Sequence, residues 1–194
     1  LKHGVWALTE LGKAAAEVSD AQAVALFKSI KYQHKGQEEV ISAPEEVQPD
    51  NIQYWFVGAV WDEGEQMSRF LQEGIWQNGY EHKFSDLVYS MKPGDRIAIK
   101  SSYVRKHNLP FDNKGVPISG MKIKAIGTIT RNHGDGRTVD VEWEEPLEQP
   151  REWYFYTYRS TVNRARVEDE VMARKLVAFA FEGAAQDYDF FMSH

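Results

Sequence analysis

The sequence predicts an α+β fold in which a bent, mixed or mostly antiparallel β-sheet, or a partly closed barrel, packs against flanking helices. Three observations support this prediction. Several segments in the second half of the chain alternate apolar and polar side chains and are separated by tight turns, which is typical of antiparallel strands. Short segments with helical spacing lie before and after them. The hydrophobic content of 42% supports a packed core, and no apolar run is long enough to cross a bilayer.

The chain divides into a small first part and a main domain. Residues 1–36 are predicted to form a strand and a helix, with Thr9 as the N-cap. Residues 37–50 are polar, contain two prolines and predict a linker. The main domain then covers 51–166, and 167–194 are predicted to form a helix and a connector. Because the chain begins with Leu rather than Met, we expect it to be a segment of a longer protein.

The first half of the main domain is predicted to contain one buried strand and two short helices. The strand is the apolar stretch 51–60. The helices are 65–74, which has an apolar side, and 84–91, for which Ser85 is the expected N-cap. The sequence KPGD at 92–95 predicts the turn that ends the second helix.

Four strands are predicted in the second half, over residues 96–103, 121–130, 138–145 and 153–158. In the first of these, isoleucines alternate with Arg96, Ala98 and Lys100, which predicts a strand with one basic face. The alternation of the next strand slips at Gly127, and this predicts a bulge there.

Positive charge is concentrated in the middle of an acidic chain. The net charge is −6, yet residues 92–137 contain ten Lys or Arg and three acids. Two interpretations stay open, namely a solvated sheet face and a local patch that binds phosphate. In the second case, the acidic remainder would oppose indiscriminate binding of nucleic acid.

The sequence gives no positive support for catalysis, for a metal or for a cofactor. Residues 115–122 approach a phosphate loop, but Met121 stands in place of the lysine. Asp140 and Glu142 lack the lysine of a metal nuclease and fit a solvated strand face. The six histidines have no metal-ligand spacing. Cysteine is absent, which is compatible with the reducing cytoplasm, and we expect a cytoplasmic protein.

Aromatic and small residues suggest a site for a flat heterocycle in three segments, 57–61, 74–80 and 100–103. Trp76 in the second segment lies between glycines, and its indole is as consistent with an open stacking face as with the core. Trp55 and Trp143 lie in regular strands and are expected in the core.

The order of parts YWFVGAVW, GIWQNGY, MKPGDRIAIKSSY, GMKIKAIGTIT and VDVEWEE resembles the EVE-like members of the PUA superfamily, which are relatives of YTH domains. The resemblance covers residues 52–165. It implies a bent sheet with helices around it and the recognition of a modified base in nucleic acid. More narrowly, the segment resembles the DNA-reading N-terminal module of McrB-type restriction NTPases. Residues 1–17 separately resemble the end of an Mrr-type winged helix.

This resemblance, together with the charge pattern, names the expected site residues. The base-binding candidates are Trp76, Trp61, Gly58, Ala59, Ser101, Ser102, Tyr103 and Asn78. The phosphate-binding candidates, chosen from charge alone, are Lys100, Arg105, Lys106, Lys122, Lys124 and Arg131. The loop 131–137 departs from the family because it has no aromatic residue where YTH domains often have one. The second wall of the pocket is therefore expected from Trp61 or Tyr103.

The expected function is non-catalytic recognition of a flipped, modified base in duplex DNA. The base itself stays open among N6-methyladenine, 5-methylcytosine and 5-hydroxymethylcytosine. The alternatives are an RNA reader with the same fold and, in another class, a small-substrate hydrolase of the ASCH type. The resemblance also implies a C-terminal NTPase domain in the full-length protein and a nuclease partner, with no membrane.

Overall fold

A computed structural model describes residues 52–193 of the chain, and these residues form an α+β fold with a curled mixed sheet that makes a half-barrel. The described elements are β1 (Tyr54–Val57), β2 (Val60–Trp61), β3 (Gly64–Glu65), α1 (Met67–Glu73), β4 (Ile75–Gln77), α2 (Ser85–Tyr89), β5 (Arg96–Arg105), β6 (Ile118–Asn132), β7 (Thr138–Trp143), β8 (Arg151–Tyr154), β9 (Val162–Arg164), α3 (Val171–Glu182) and α4 (Tyr188–Met192). None of the helices between residues 52 and 193 combines the length and the apolar character that a bilayer crossing needs.

The seven-stranded sheet has the order β4-β7-β6-β5-β1-β9, and β8 pairs with β6. Strands β1 and β5 are parallel, whereas the other pairs in this sheet are antiparallel. Strand β6 has 15 residues, so its first half pairs with β8 and its second half with β7. Because one long strand serves two neighbours in succession, the sheet curls. Strands β2 and β3 form a separate hairpin.

The register shifts lie elsewhere than the sequence predicts. One falls between Ile99 and Lys100 and leaves Lys124 as the extra residue on β6, and a second falls between Ile129 and Arg131. The expected bulge at Gly127 is therefore wrong. Glycine is required there for another reason, since a Cβ atom would lie 2.7 Å from the carbonyl oxygen of Glu142.

Two cores lie against the sheet. The first is rich in tryptophan and aliphatic side chains and includes α1 and α2; its buried members include Trp55, Phe70, Trp76, Val88, Ile97, Ile99, Ile129 and Val139. The second lies under α3 and α4; its buried members include Phe56, Met121, Ile123, Trp153, Leu176, Phe179 and Phe191. Trp55 is buried, as expected, and its indole donates to Asp95 over 2.9 Å. Trp143 is half-buried against the first core.

Several predicted element boundaries change in the structure. Phe84 has a positive φ of 68° and is the N-cap of α2, so Ser85 is the first helical residue and not the cap. The strand expected over 153–158 is β8, which ends before Phe155, a residue with φ of 73°. The end of the chain was expected to be a connector, but α4 places Phe191 in the second core. The predictions for 1–36 and 37–50 lie outside the described residues.

Candidate functional site

The three segments that sequence analysis grouped together meet at the carboxyl end of the parallel β1–β5 pair. Val57 is the partner of Ile99, which places Gly58 beside the continuation of β5. The Trp76 indole nitrogen donates to the Gly58 carbonyl over 2.9 Å and joins the second segment to the first. Strand β1 ends there, whereas β5 continues to Arg105 beside β6. We call the residues 57–61, 74–80 and 100–103 the carboxyl-end site.

Trp76 is part of the core. Its side chain is 0% exposed, and β4 pairs with β7 so that Trp76 lies opposite Val139. The expectation of an indole open to solvent is therefore wrong. The segment reads as a loop because β4 has only three residues between Gly74 and a turn, which is too short to show alternation. In this structure, Trp76 belongs to the first core and contacts the carboxyl-end site through its hydrogen bond to Gly58.

Trp61 is a half-buried indole of the carboxyl-end site that packs against the first core. It packs on Gly79 so closely that a Cβ atom there would lie 2.6 Å from the ring. The Phe70 ring meets it edge-on with centroids 6.1 Å apart, and the guanidinium carbon of Arg69 lies 5.1 Å from its ring centroid. Because Trp61 is half-buried whereas Trp76 is fully enclosed, Trp61 is the better candidate of the two to stack on a base.

Gly58, Ala59 and Asn78 are already engaged in the fold. The Gly58 N–H donates to Thr161 over 2.7 Å, and the Ala59 carbonyl accepts from Gln66 over 2.7 Å. Asn78 is buried, and its amide donates to the Lys83 carbonyl over 2.7 Å, which holds the loop after β4. The Gly58 carbonyl keeps a second lone pair, because each carbonyl oxygen accepts two hydrogen bonds.

Ser101 and Ser102 point to opposite faces of β5, because successive strand residues alternate. Ser102 donates to the Tyr158 carbonyl over 2.7 Å on the face of the second core. Lys100 shares that face and is 5% exposed, with its ammonium donating to the Ser160 carbonyl over 2.6 Å. Burial lowers the pKa of Lys100 to about 8. Lys100 is therefore enclosed and bonded inside the fold, and of the two serines Ser101 lies on the face of the first core.

Three cations share the Ser101 face, and we call Arg105, Lys122 and Lys124 the cationic face. Arg105 forms two hydrogen bonds of 2.7 Å with Glu152, and Lys122 lies 3.7 Å from the same carboxylate. The hydrogen bond from Arg105 is the main reason that the pKa of Glu152 lies below its usual value. Arg105 and Lys122 therefore both contact the same acid of this chain.

Lys124, the extra residue at the first bulge, forms an ion pair of 2.7 Å with Glu65 of β3. Tyr103 lies among the other two cations, with the Arg105 guanidinium carbon 4.9 Å and the Lys122 nitrogen 5.7 Å from its ring centroid. Its ring lies over Gly120, where a Cβ atom would come within 2.4 Å. Tyr103 is therefore held over Gly120 and beside two cations of the cationic face.

The last two phosphate candidates lie apart from one another. Lys106 is exposed just beyond the end of β5. Arg131 lies near the other end of β6 and pairs with Asp140 over 2.7 Å. His133 also contacts Asp140, and its hydrogen bond is the main reason that the pKa of Asp140 lies below its usual value. Arg131 does not belong to the cationic face.

Sequence reasoning missed the acidic partners of this face. Glu65 of β3 lies 59 residues before its partner Lys124. Glu152 of β8 lies 30 residues after Lys122 and 47 residues after Arg105. Their only signal in the sequence was the excess of acids outside the middle segment. Among residues 52–193, no group of His, Asp and Glu side chains is arranged to hold a metal ion. A scan against models of protein families finds no match for the chain, and a search of curated proteins finds none either.

Proposed function

We propose that this chain is a non-catalytic reader that binds a modified base of duplex DNA in the carboxyl-end site, on a PUA-like fold of the EVE type. The observation that carries the proposal is the half-buried Trp61, which packs on Gly79 where the three segments meet. The cationic face lies next to it, since Lys124 is paired with Glu65 of the hairpin that also carries Trp61. A stacking ring beside phosphate-binding cations is the combination that nucleic-acid recognition needs.

In the proposed mechanism, the cationic face contacts the DNA backbone and the target base leaves the stack. Base flipping costs a few kcal/mol. Stacking on Trp61 returns about 1–3 kcal/mol. The second lone pair of the Gly58 carbonyl and the Ser101 hydroxyl then select the edge of the base. Burial of one methyl group adds about 0.8 kcal/mol, which is a several-fold preference, so the shape of the pocket must contribute the rest.

The proposal extends to the setting of the protein. A reader of modified DNA suits the role of a targeting module for an NTPase and a nuclease, as the resemblance to McrB-type proteins implies. The acidic remainder of the chain supports selective rather than general binding, because net negative charge repels the DNA backbone.

The test is a titration of the 194-residue chain, monitored by fluorescence anisotropy, with matched duplexes. They carry N6-methyladenine, 5-methylcytosine, 5-hydroxymethylcytosine or no modification, and a single-stranded RNA is included. We expect one modified duplex to bind tightest and Trp61→Ala to lose most of that preference. Tyr89→Ala is the matched control, because Tyr89 is a 56% exposed aromatic residue on α2 next to Gly136.

Two outcomes would replace the proposal. Tightest binding to the RNA would favour an RNA reader. Turnover of a small substrate by the wild-type chain, with the same nucleic acids left unbound, would favour a hydrolase. If Trp61→Ala and Tyr89→Ala change the affinity for every duplex equally, Trp61 is not part of the binding site.

A further inference from the structure

The cations of the cationic face are held by carboxylates that occupy the place of a phosphate. The Glu152 carboxylate accepts hydrogen bonds from both terminal nitrogens of Arg105 over 2.7 Å and from the Tyr154 hydroxyl over 2.5 Å. Lys122 lies 3.7 Å away from it. An arginine fork, an ammonium group and a hydroxyl that converge on one anion are also the donors that bind a phosphate group. The carboxylate therefore fills a ready-made anion site.

The second carboxylate links the cationic face to the stacking residue. Glu65 contacts Lys124 over 2.7 Å and belongs to the β2–β3 hairpin, in which Trp61 pairs with Gly64. A phosphate that binds Lys124 competes with Glu65 for the same ammonium group.

We propose that Glu65 and Glu152 are built-in phosphate mimics that mask the cationic face and weaken binding to nucleic acid that lacks the recognised base. This inference rests on the proposed function and names the regulation of the same site. With both carboxylates in place, two acids contact the three cations of the cationic face, so its local charge is about +1 instead of +3. The phosphates of a duplex must therefore compete with these carboxylates for the three cations.

The size of the effect follows from counterion release. Each phosphate contact changes the slope of log K against log salt by about −0.9, which is about eightfold in affinity at 0.1 M salt. Glu65→Gln frees one cation, Lys124, and should raise the affinity for an unmodified duplex about eightfold. Glu152→Gln frees Arg105 and Lys122, so its gain and its change in slope should be larger.

The experiment measures binding of an unmodified 20-base-pair duplex to the 194-residue chain over a range of salt concentrations. The variants are Glu65→Gln, Glu152→Gln and the control Asp140→Asn. The control makes the same change of charge and frees Arg131, which lies away from the cationic face. We expect tighter binding and a steeper slope for the first two variants and little change for the control.

A second variant keeps the test decisive if Glu152→Gln loses stability. Lys122→Gln in the Glu152→Gln background should cancel part of the gain, and thermal unfolding of each variant shows whether it is folded. If Asp140→Asn raises the affinity for the duplex equally, the effect depends on net charge alone and the inference is overturned. Unchanged affinity and slope for both Glu variants would also overturn it. If the wild-type chain still prefers a modified duplex in that case, the masking is wrong and the proposed function stands.

Discussion

Replacing Trp76 by alanine should destabilise the fold strongly, because its indole is wholly enclosed in the first core. The side chain is 0% exposed, and its N–H donates to the Gly58 carbonyl over 2.9 Å. Truncation of a buried aromatic side chain to alanine costs about 3–5 kcal/mol, through lost burial and the cavity that remains. Domains of this size are stable by about 5–15 kcal/mol, so the loss is a large share of the total. Trp76→Phe keeps a ring but loses the hydrogen bond, and should cost about 1–3 kcal/mol.

The assay is urea unfolding followed by circular dichroism, since these substitutions alter tryptophan fluorescence itself. Trp143→Ala is the matched control, because its indole makes the same kind of bond, to the Phe70 carbonyl over 3.0 Å, from a half-buried position. We expect a smaller loss for this control, because less apolar surface leaves the core.

One result would refute the reasoning about Trp76. If Trp76→Ala lowers the free energy of unfolding by less than about 1 kcal/mol and yet abolishes the preference for modified DNA, the indole is an open stacking face. The assignment of Trp76 to a purely structural role in the first core would then be wrong.

Three further predictions concern the pH dependence of stability, the packing of the stacking residue and the salt dependence of binding. The pKa of Lys100 is lowered to about 8 in the fold, so the unfolded chain holds more protons between about pH 8 and 10. The free energy of unfolding should therefore rise by about 2 kcal/mol from pH 7.5 to 9.5 relative to that of Lys100→Met, as measured by urea unfolding at each pH. If the free energies of unfolding of the two proteins change with pH in the same way, the assigned burial of Lys100 is contradicted. Gly79→Ala would place a Cβ atom 2.6 Å from the Trp61 ring, so it should displace the indole and lower the preference for modified DNA in the anisotropy assay. A preference equal to that of the wild type would show that the packing on Gly79 is not needed. The double variant Lys122→Glu and Lys124→Glu should weaken binding to modified and unmodified duplexes alike and flatten the salt slope, and an unchanged slope would exclude both lysines as phosphate contacts.

Local patterns in the sequence were sufficient for most of the fold. Alternation predicted β5 and β7, whose apolar side chains at alternate positions lie in the first core, and helical spacing predicted α1, which buries Phe70. Aromatic and small residues, rather than periodicity, pointed to the three segments of the carboxyl-end site. The position of Trp55 in a regular strand predicted that it lies in the core, because successive side chains of a strand point to opposite faces of the sheet.

The tertiary structure decided which tryptophan is enclosed and which cations are paired. Strand β4 is too short to show a pattern, and its pairing with β7 places Trp76 opposite Val139 in the first core. The pairing of Arg105 with Glu152 depends on the strand order, which sets β8 beside the first half of β6. Sequence periodicity reports which face a residue takes on its own element. It carries no information about which distant strand supplies the neighbour, because that is fixed only when the sheet is assembled.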